Sequence, residues 1–168
     1  MSVRGLLTHP RLALLCRALL GGVFLWAGVT KALDPAAFGL EIARYRILPH
    51  EAINVVALTL PWLELVAAVA LLLGLYARAA ALLCGAMMVV FIAALGSALS
   101  RGLDISCGCF GAQPGAARIS GLTLARDLLW LAWAAQVALF DRGVAGLDGV
   151  LERRRVRQAS PLAAPPAP

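Results

Sequence analysis

The chain has 168 residues, of which 61% are hydrophobic and only 14% are charged, and its formal net charge is +6. Soluble globular domains are roughly 45–50% apolar and about 25% charged, so this composition excludes an ordinary soluble domain and favours one membrane domain. The basic residues lie mostly at the ends and turns of the chain. No stacked-aromatic or basic-groove pattern accompanies them, so we expect no nucleic-acid partner.

Four apolar segments follow one another, each close to the ~20 residues that cross a bilayer as a helix. They cover about residues 12–33, 52–76, 79–100 and 119–140. Lys31, Leu33 and Asp34 stand at the end of the first segment where a signal peptide would have small residues, so we interpret this segment as a retained span. The predicted fold class is all-α: a polytopic membrane protein with a four-transmembrane-helix antiparallel bundle in residues 1–142. Residues 143–168 are predicted to form a basic, Pro/Ala-rich cytoplasmic tail with a disordered end.

The second and third segments are joined by a tight turn at residues 74–78, which predicts a helical hairpin. Small residues also recur four apart, a spacing that allows close helix contacts in lipid. The alternative is that alanine and glycine are simply common in this chain. The candidate contact pairs are Ala18 and Gly22, Ala81 and Gly85, and Ala93 and Ser97.

The loop between the first and second apolar segments contains signals for a helix of its own. Asp34 is a candidate N-cap, and Pro35 suits the first helical position. Phe38, Ile42 and Tyr45 fall on one helical face. We therefore predict a short amphipathic interfacial helix that ends at Pro49 and forms a wall beside residues 101–118.

Orientation follows from the distribution of lysine and arginine. Nine of them lie at the two termini and the middle turn, and six lie on the other side. The positive-inside rule then places both termini in the cytoplasm and the loops 34–51 and 101–118 in the periplasm. We expect the protein to lie in the bacterial inner membrane, where the lipid bilayer is its partner.

The most distinctive stretch is the polar, glycine-rich island "RGLDISCGCFGAQPGAARIS", which contains Cys107 and Cys109. Two extended residues span at most ~7 Å, so the two cysteines can pair, since a disulfide needs Cα atoms about 4.4–6.8 Å apart. Gly108 gives the backbone the freedom for so small and strained a ring, and strain makes a disulfide more reducible. Arg101 and Arg118 are close in sequence and are expected to favour a thiolate. The sequence therefore predicts a redox-active pair.

Two other interpretations of the pair stay open. A static structural disulfide is one, and a metal site is the other, although only His50 in the facing loop offers a further ligand and no metal is assigned. The remaining cysteines, Cys16 and Cys84, lie inside apolar segments and are expected to be buried small hydrophobic residues.

Glu64 lies midway along the second span, where a carboxyl is costly unless it is neutral or paired. Two interpretations of Glu64 stay open. One is a polar pocket formed with Pro61 and Trp62 for a small redox partner such as a quinone, and the other, which we favour, is a structural ion pair with Lys31 or Arg126 on neighbouring helices. Arg126 and Asp127 are expected to join a buried network in the same way.

Several of these stretches together resemble one family. They are "FLWAGVTKALDPAAF", "LPWLELVAAVALLLG", "SRGLDISCGCFG" and "LARDLLWLAWA". They are similar to the methylamine utilisation protein MauE family, a branch of the DoxX-like four-helix membrane proteins, over about residues 12–140. The "DISCGCFG" element is the most specific part.

The resemblance implies a role in making methylamine dehydrogenase, a periplasmic enzyme rich in disulfides, alongside a thioredoxin-like partner. It also implies, through the wider DoxX group, a link to quinone reduction. No cofactor is certain from the sequence, and a quinone is the candidate. Cys107 and Cys109 are the predicted redox pair, and the supporting residues are Gly108, Arg101, Asp104, Glu64, Arg126 and Lys31. A non-catalytic membrane scaffold and a small transporter that uses Glu64 are the competing functions.

Overall fold

The computed structural model describes residues 9–109, 118–141 and 146–149. In chain order the helices are α1 (Pro10–Leu33), α2 (Pro35–Arg44), α3 (His50–Leu73), α4 (Ala77–Ser100) and α5 (Gly121–Phe140). Helices α1, α3, α4 and α5 are each long and apolar enough to cross a membrane. The predicted all-helical, four-span membrane fold is therefore confirmed. Most of the predicted tail at residues 143–168 lies outside the described residues.

The helix bounds differ from the sequence prediction by a few residues. Helix α3 ends at Leu73 rather than Tyr76 because Gly74 takes a left-handed conformation, with φ of 65°, and caps the helix. Helix α5 begins at Gly121 because the Ser120 hydroxyl accepts a hydrogen bond from the Thr123 amide. The predicted hairpin of the second and third spans is present as α3 and α4.

The contact between α1 and α3 depends on two glycines. A Cβ atom at Gly21 would lie 2.9 Å from the Leu72 side chain, and one at Gly28 would lie 2.9 Å from the Leu65 side chain. The Gly28 position also faces the Pro61 carbonyl oxygen, 3.1 Å from such a Cβ atom. Only glycine lets the two backbones approach this closely.

The proposed small-residue pairs are correct in one case of three. Ala81 is buried, and Gly85 faces Ala134 of α5, so this pair does serve a helix contact. Ala18 and Gly22 are exposed, and nothing lies within 4 Å of a Cβ atom built at Gly22. Ala93 is exposed as well. The prediction was wrong there because four-residue spacing does not show which face of a helix meets a neighbour.

Helix α2 begins as predicted, with Pro35 at its start and the Asp34 carboxylate accepting a hydrogen bond from the Ala37 amide at 2.9 Å. It ends at Arg44, before the predicted end at Pro49. The reason is local: Arg46 takes a positive φ of 53°, which breaks the helical path. Pro49 instead caps the start of α3.

One end of the bundle is closed by contacts among α1, the α3–α4 turn and the segment after α5. The buried Arg17 guanidinium lies 3.3 Å from the Asp141 carboxylate. The Asp148 carboxylate accepts hydrogen bonds from the Tyr76 and Ala77 amides at the start of α4. We call this the turn end. The two cysteines of the Cys-Gly-Cys lie at the opposite end, which we call the disulfide end.

Candidate functional site

Cys107 and Cys109 are joined by a disulfide, with Cα atoms 5.5 Å apart. Gly108 between them has a φ of 71°, a left-handed conformation that favours glycine. An isolated antiparallel bridge between Ser106 and Arg118 holds the two ends of this loop together. Both cysteines are buried, with 5% and 8% of their surfaces exposed.

Arg126 of α5 is the cation at the disulfide. Its Nη2 atom lies 3.4 Å from the Cys107 sulfur and 3.2 Å from the Cys109 sulfur. The guanidinium also donates to the Asp127 carboxylate at 3.0 Å and lies 4.6 Å from the ring centre of Trp130. The planar guanidinium is therefore held by a carboxylate and an aromatic face while it contacts both sulfurs.

The two arginines that the sequence placed at the thiols are elsewhere. Arg101 donates to the backbone carbonyls of Tyr45 and Ser97, so it ties α2 to the end of α4. Arg118 pairs with the exposed carboxylate of Asp104. The prediction that these arginines favour a thiolate is wrong, because nearness in sequence does not bring their side chains to the sulfurs. Arg126, 17 residues beyond Cys109, reaches them because the start of α5 packs beside the two cysteines.

Helix α2 forms a wall of the site, as predicted. The Tyr45 hydroxyl donates to the Cys107 carbonyl oxygen at 2.7 Å, and the Ser106 hydroxyl donates to the Glu41 carboxylate. Burial raises the pKa of Tyr45 well above its usual range, and the nearby carboxylates of Asp127 and Glu41 raise it further. Tyr45 therefore stays protonated and keeps its donor.

The Cys107 and Cys109 sulfurs and an Asp127 carboxylate oxygen lie within 4.8 Å of one another, so the reduced pair together with Asp127 offers three metal ligands. A structural zinc site takes four, and the Arg126 guanidinium beside the sulfurs would oppose a cation. His50, the ligand considered from sequence, begins α3 and is exposed. The arrangement suits thiol chemistry better than metal binding.

Two buried charges on neighbouring spans form an ion pair. The Lys31 ammonium of α1 lies 2.6 Å from the Glu64 carboxylate of α3, and both side chains are buried. Of the two partners considered for Glu64, the structure selects Lys31 over Arg126. Trp62 was expected to line a pocket beside Glu64, but its side chain is 63% exposed and points away from the bundle. Pro61 is buried instead, where α3 crosses α1.

A cavity of about 440 Å³ connects the ion pair to the disulfide. Its wall is mostly apolar and includes side chains from all five helices named above. Among the described residues, its polar lining is Lys31, Glu41, Tyr45, Glu64, Cys107 and Cys109.

Sequence reasoning missed three residues of the site. Glu41 and Tyr45 contact the Cys-Gly-Cys loop from α2, and Phe38 lies under the Lys31 ammonium at 5.2 Å from its ring centre. The signal was present, because Phe38 and Tyr45 belong to the apolar face of the predicted interfacial helix. The sequence pattern places this helix beside residues 101–118 but assigns none of the three residues to the site.

The chain matches the family model "Methylamine utilisation protein MauE" over residues 9–140. It is 35% identical to the methylamine utilization protein MauE of Paracoccus denitrificans over 136 residues, which is 79% of this chain and 71% of that protein. It is 27% identical to the MauE protein of Methylophilus methylotrophus over 147 residues, which is 87% of this chain and 77% of that protein. No solved structure matches the chain. With its five helices and its Cys-Gly-Cys inside the matched region, this multi-pass membrane protein belongs to the methylamine utilisation protein MauE family.

Proposed function

We propose that the chain supports thiol–disulfide exchange in the folding or maturation of a periplasmic enzyme, such as methylamine dehydrogenase, with Cys107 and Cys109 as its redox pair. One observation carries the proposal: the Arg126 guanidinium lies within 3.4 Å of both sulfurs. A disulfide that serves only as a staple gains little from a cation there. A thiolate gains a charge-assisted hydrogen bond.

The exchange step places a negative charge where Arg126 lies. A thiolate of the partner protein attacks one sulfur, a mixed disulfide forms, and the other sulfur leaves as a thiolate. Because Arg126 contacts both sulfurs, it stabilises the leaving group whichever cysteine is attacked. Asp127 has one carboxylate oxygen without a hydrogen-bond partner among the described residues, and this oxygen can accept a thiol proton.

The partner proposed for this site is a periplasmic thioredoxin-like protein or the client enzyme itself. The distribution of basic residues supports an inner-membrane orientation with the disulfide end in the periplasm, where disulfides persist. Methylamine utilisation enters the proposal through the family, whose members in Paracoccus denitrificans and Methylophilus methylotrophus carry that description.

Burial of the two cysteines favours a second candidate, a membrane scaffold whose Cys107–Cys109 disulfide only staples the loop. With 5% and 8% exposure, neither sulfur is open to a large partner unless the loop moves. The two functions differ in redox behaviour. A staple stays oxidised under all conditions, whereas an exchange site cycles between disulfide and dithiol.

The deciding experiment is a redox titration of the purified membrane protein, read by gel-shift alkylation. We expect a midpoint potential above the roughly −300 mV below which structural disulfides fall. Cys107→Ser and Cys109→Ser variants should each lose exchange with a thioredoxin-like protein, and one of them should trap it as a mixed disulfide. Both variants should remain folded, since lipid-embedded helix packing holds the bundle. A potential below that limit, or loss of the folded protein in both variants, identifies the staple.

A further inference from the structure

The cavity between the Lys31–Glu64 pair and the disulfide has the size and lining of a ligand site. Its volume of about 440 Å³ falls within the ~300–1,000 Å³ of small-molecule pockets. Such pockets are mostly apolar with a few polar groups that fix the ligand, and this lining matches that pattern. The lining includes the exposed apolar residues Ile47, Leu48 and Val90, of which Val90 is 71% exposed. Access from lipid therefore suits the cavity better than access from water.

Glu64 gives independent evidence that a polar ligand belongs there. Its residue surface is only 6% exposed, and its Oε1 atom accepts from Lys31. Its Oε2 atom has no hydrogen-bond partner among the described residues. A buried carboxylate oxygen without a partner is costly, and a lipid acyl chain in the cavity would leave it so. A ligand with a hydroxyl group would satisfy it.

We propose that this cavity binds the head group of a membrane quinone, which accepts the electrons of the Cys107–Cys109 dithiol. The inference rests on the exchange function proposed above and names its electron acceptor. A quinone is apolar enough to enter from lipid and carries two carbonyl oxygens. The Lys31 ammonium keeps N–H donors beyond the one given to Glu64 and offers one to a quinone carbonyl. The Glu64 Oε2 atom accepts from the hydroxyl of the quinol.

The reaction balances between the two groups that the cavity joins. After exchange has left Cys107 and Cys109 as thiols, formation of the S–S bond releases two electrons and two protons. The quinone takes both, and its two carbonyl groups become the hydroxyl groups of a quinol. Helix α2 lines the path between the two groups, with Phe38 under Lys31 and Tyr45 against Cys107.

The test uses the full-length protein in phospholipid nanodiscs, reduced and freed of reductant. Decylubiquinone is the probe, and diamide is a polar oxidant that needs no cavity. Disulfide formation is followed by alkylation, and quinone reduction is followed by ultraviolet absorbance. We expect decylubiquinone to re-form the disulfide with one quinol produced for each disulfide, and we expect no reaction in quinone-free nanodiscs.

Cavity-filling variants with matched controls locate the reaction. Ala94→Trp and Ile42→Trp place a large ring in the cavity, from α4 and α2 respectively. Ala93→Trp and Leu40→Trp place the same ring on exposed faces of those helices. The ratio of the quinone-driven to the diamide-driven rate should fall by roughly tenfold or more in the filled variants, since each ~1.4 kcal/mol of lost binding is a factor of ten. The controls should keep the wild-type ratio.

The outcomes separate the acceptor from the exchange function. Equal ratios in the filled variants and their controls would overturn the quinone site and leave an acyl chain as the occupant. Failure of decylubiquinone to oxidise a protein that still exchanges with a thioredoxin-like partner would also overturn it, and the exchange function would stand. Should exchange itself fail, photolabelling of the oxidised protein with an azidoquinone still tests the site. Label on residues that line the cavity supports binding, and label confined to residues outside that lining overturns it.

Discussion

The two ends of the bundle use buried charge in different ways. At the turn end, the Arg17–Asp141 pair and the Asp148 carboxylate connect helices and cap α4. Gly74 packs directly against Gly146 there, where a Cβ atom on Gly74 would lie 2.6 Å from the Gly146 Cα atom. The charges at this end hold chain segments together, and the packing around them leaves no space for a side chain at either glycine.

At the disulfide end the charged pairs border the cavity and the disulfide. The Lys31–Glu64 pair borders the cavity, and the Arg126–Asp127 pair borders the sulfurs. In each pair one carboxylate oxygen, Glu64 Oε2 or Asp127 Oδ2, has no hydrogen-bond partner among the described residues. A fold that only needed stability would satisfy these atoms. The comparison separates an end whose charges connect chain segments from an end whose charges border a cavity and a disulfide, which is the arrangement that the proposed exchange function requires.

The largest effect is expected at the Lys31–Glu64 pair. Glu64→Leu leaves the Lys31 ammonium buried without its counter-charge, which should lower the free energy of unfolding by about 3–5 kcal/mol. The double variant Lys31→Leu/Glu64→Leu removes both charges and should recover most of that loss. Unfolding in mixed micelles by titration with sodium dodecyl sulfate measures both.

Asp104→Ala is the control for that comparison, because the Asp104–Arg118 pair is exposed and should contribute only about 0–1 kcal/mol. If the double variant is no more stable than Glu64→Leu, the unpaired Lys31 charge is not the reason for the loss, and the ion pair itself stabilises the bundle. The turn end and the disulfide end would then no longer differ in what their charges do.

The second prediction concerns Arg126. Arg126→Gln removes a charge-assisted hydrogen bond to the thiolates, worth about 1.5–3 kcal/mol. Because the reduced form loses this stabilisation and the disulfide does not, the midpoint potential should fall by about 30–60 mV, at 30 mV for each 1.4 kcal/mol. Gel-shift alkylation in a graded redox buffer measures the shift.

Arg118→Gln is its matched control and should leave the potential unchanged, since Arg118 pairs with Asp104 at the surface. A shift in Arg118→Gln of the same size as in Arg126→Gln would contradict the geometry of the site. It would instead support the sequence-based expectation that arginines near in sequence act on the thiols.

These two arginines show what the sequence could and could not predict. The four spans were predictable because hydrophobic length is read directly from the residues, and the Asp34–Pro35 start of α2 was predictable because caps are local signals. The partners of the cysteines were not predictable in this way. Arg126 and Tyr45 reach them only through the packing of α5 and α2 around the loop, which no local pattern encodes.

The third prediction tests whether the contact between α1 and α3 depends on a glycine. Gly28→Ala would bring a Cβ atom to 2.9 Å from the Leu65 side chain and 3.1 Å from the Pro61 carbonyl oxygen. A backbone carbonyl cannot move aside as a side chain can, so overpacking should cost about 1–3 kcal/mol. Gly22→Ala, where nothing lies within 4 Å, should be neutral or slightly stabilising. Equal unfolding curves for the two variants would show that α1 and α3 do not depend on a glycine contact.

The smallest effect is expected at Tyr45, whose hydroxyl ties α2 to the disulfide loop at the Cys107 carbonyl. Tyr45→Phe removes one hydrogen bond and should cost about 0.5–1.5 kcal/mol. Its clearest sign is faster hydrogen exchange of the backbone amides around Cys107, measured by mass spectrometry. Tyr76→Phe is the control, because the Tyr76 side chain lies 74% exposed at the turn end.

The same contact has a pH dependence of known sign. Burial raises the pKa of Tyr45 above its unfolded value, so the folded state holds this proton more tightly than the unfolded state does. The stability contributed by Tyr45 is therefore fully present below the ordinary tyrosine pKa of ~10 and is lost as the pH rises from there through the raised value. In the wild-type protein, the backbone amides around Cys107 should lose protection from hydrogen exchange in alkaline buffer. In Tyr45→Phe, the protection of these amides should not change over that range. Alkaline loss of equal size in Tyr45→Phe would assign it to other groups, and the protonated phenol would then not be what holds the loop against α2.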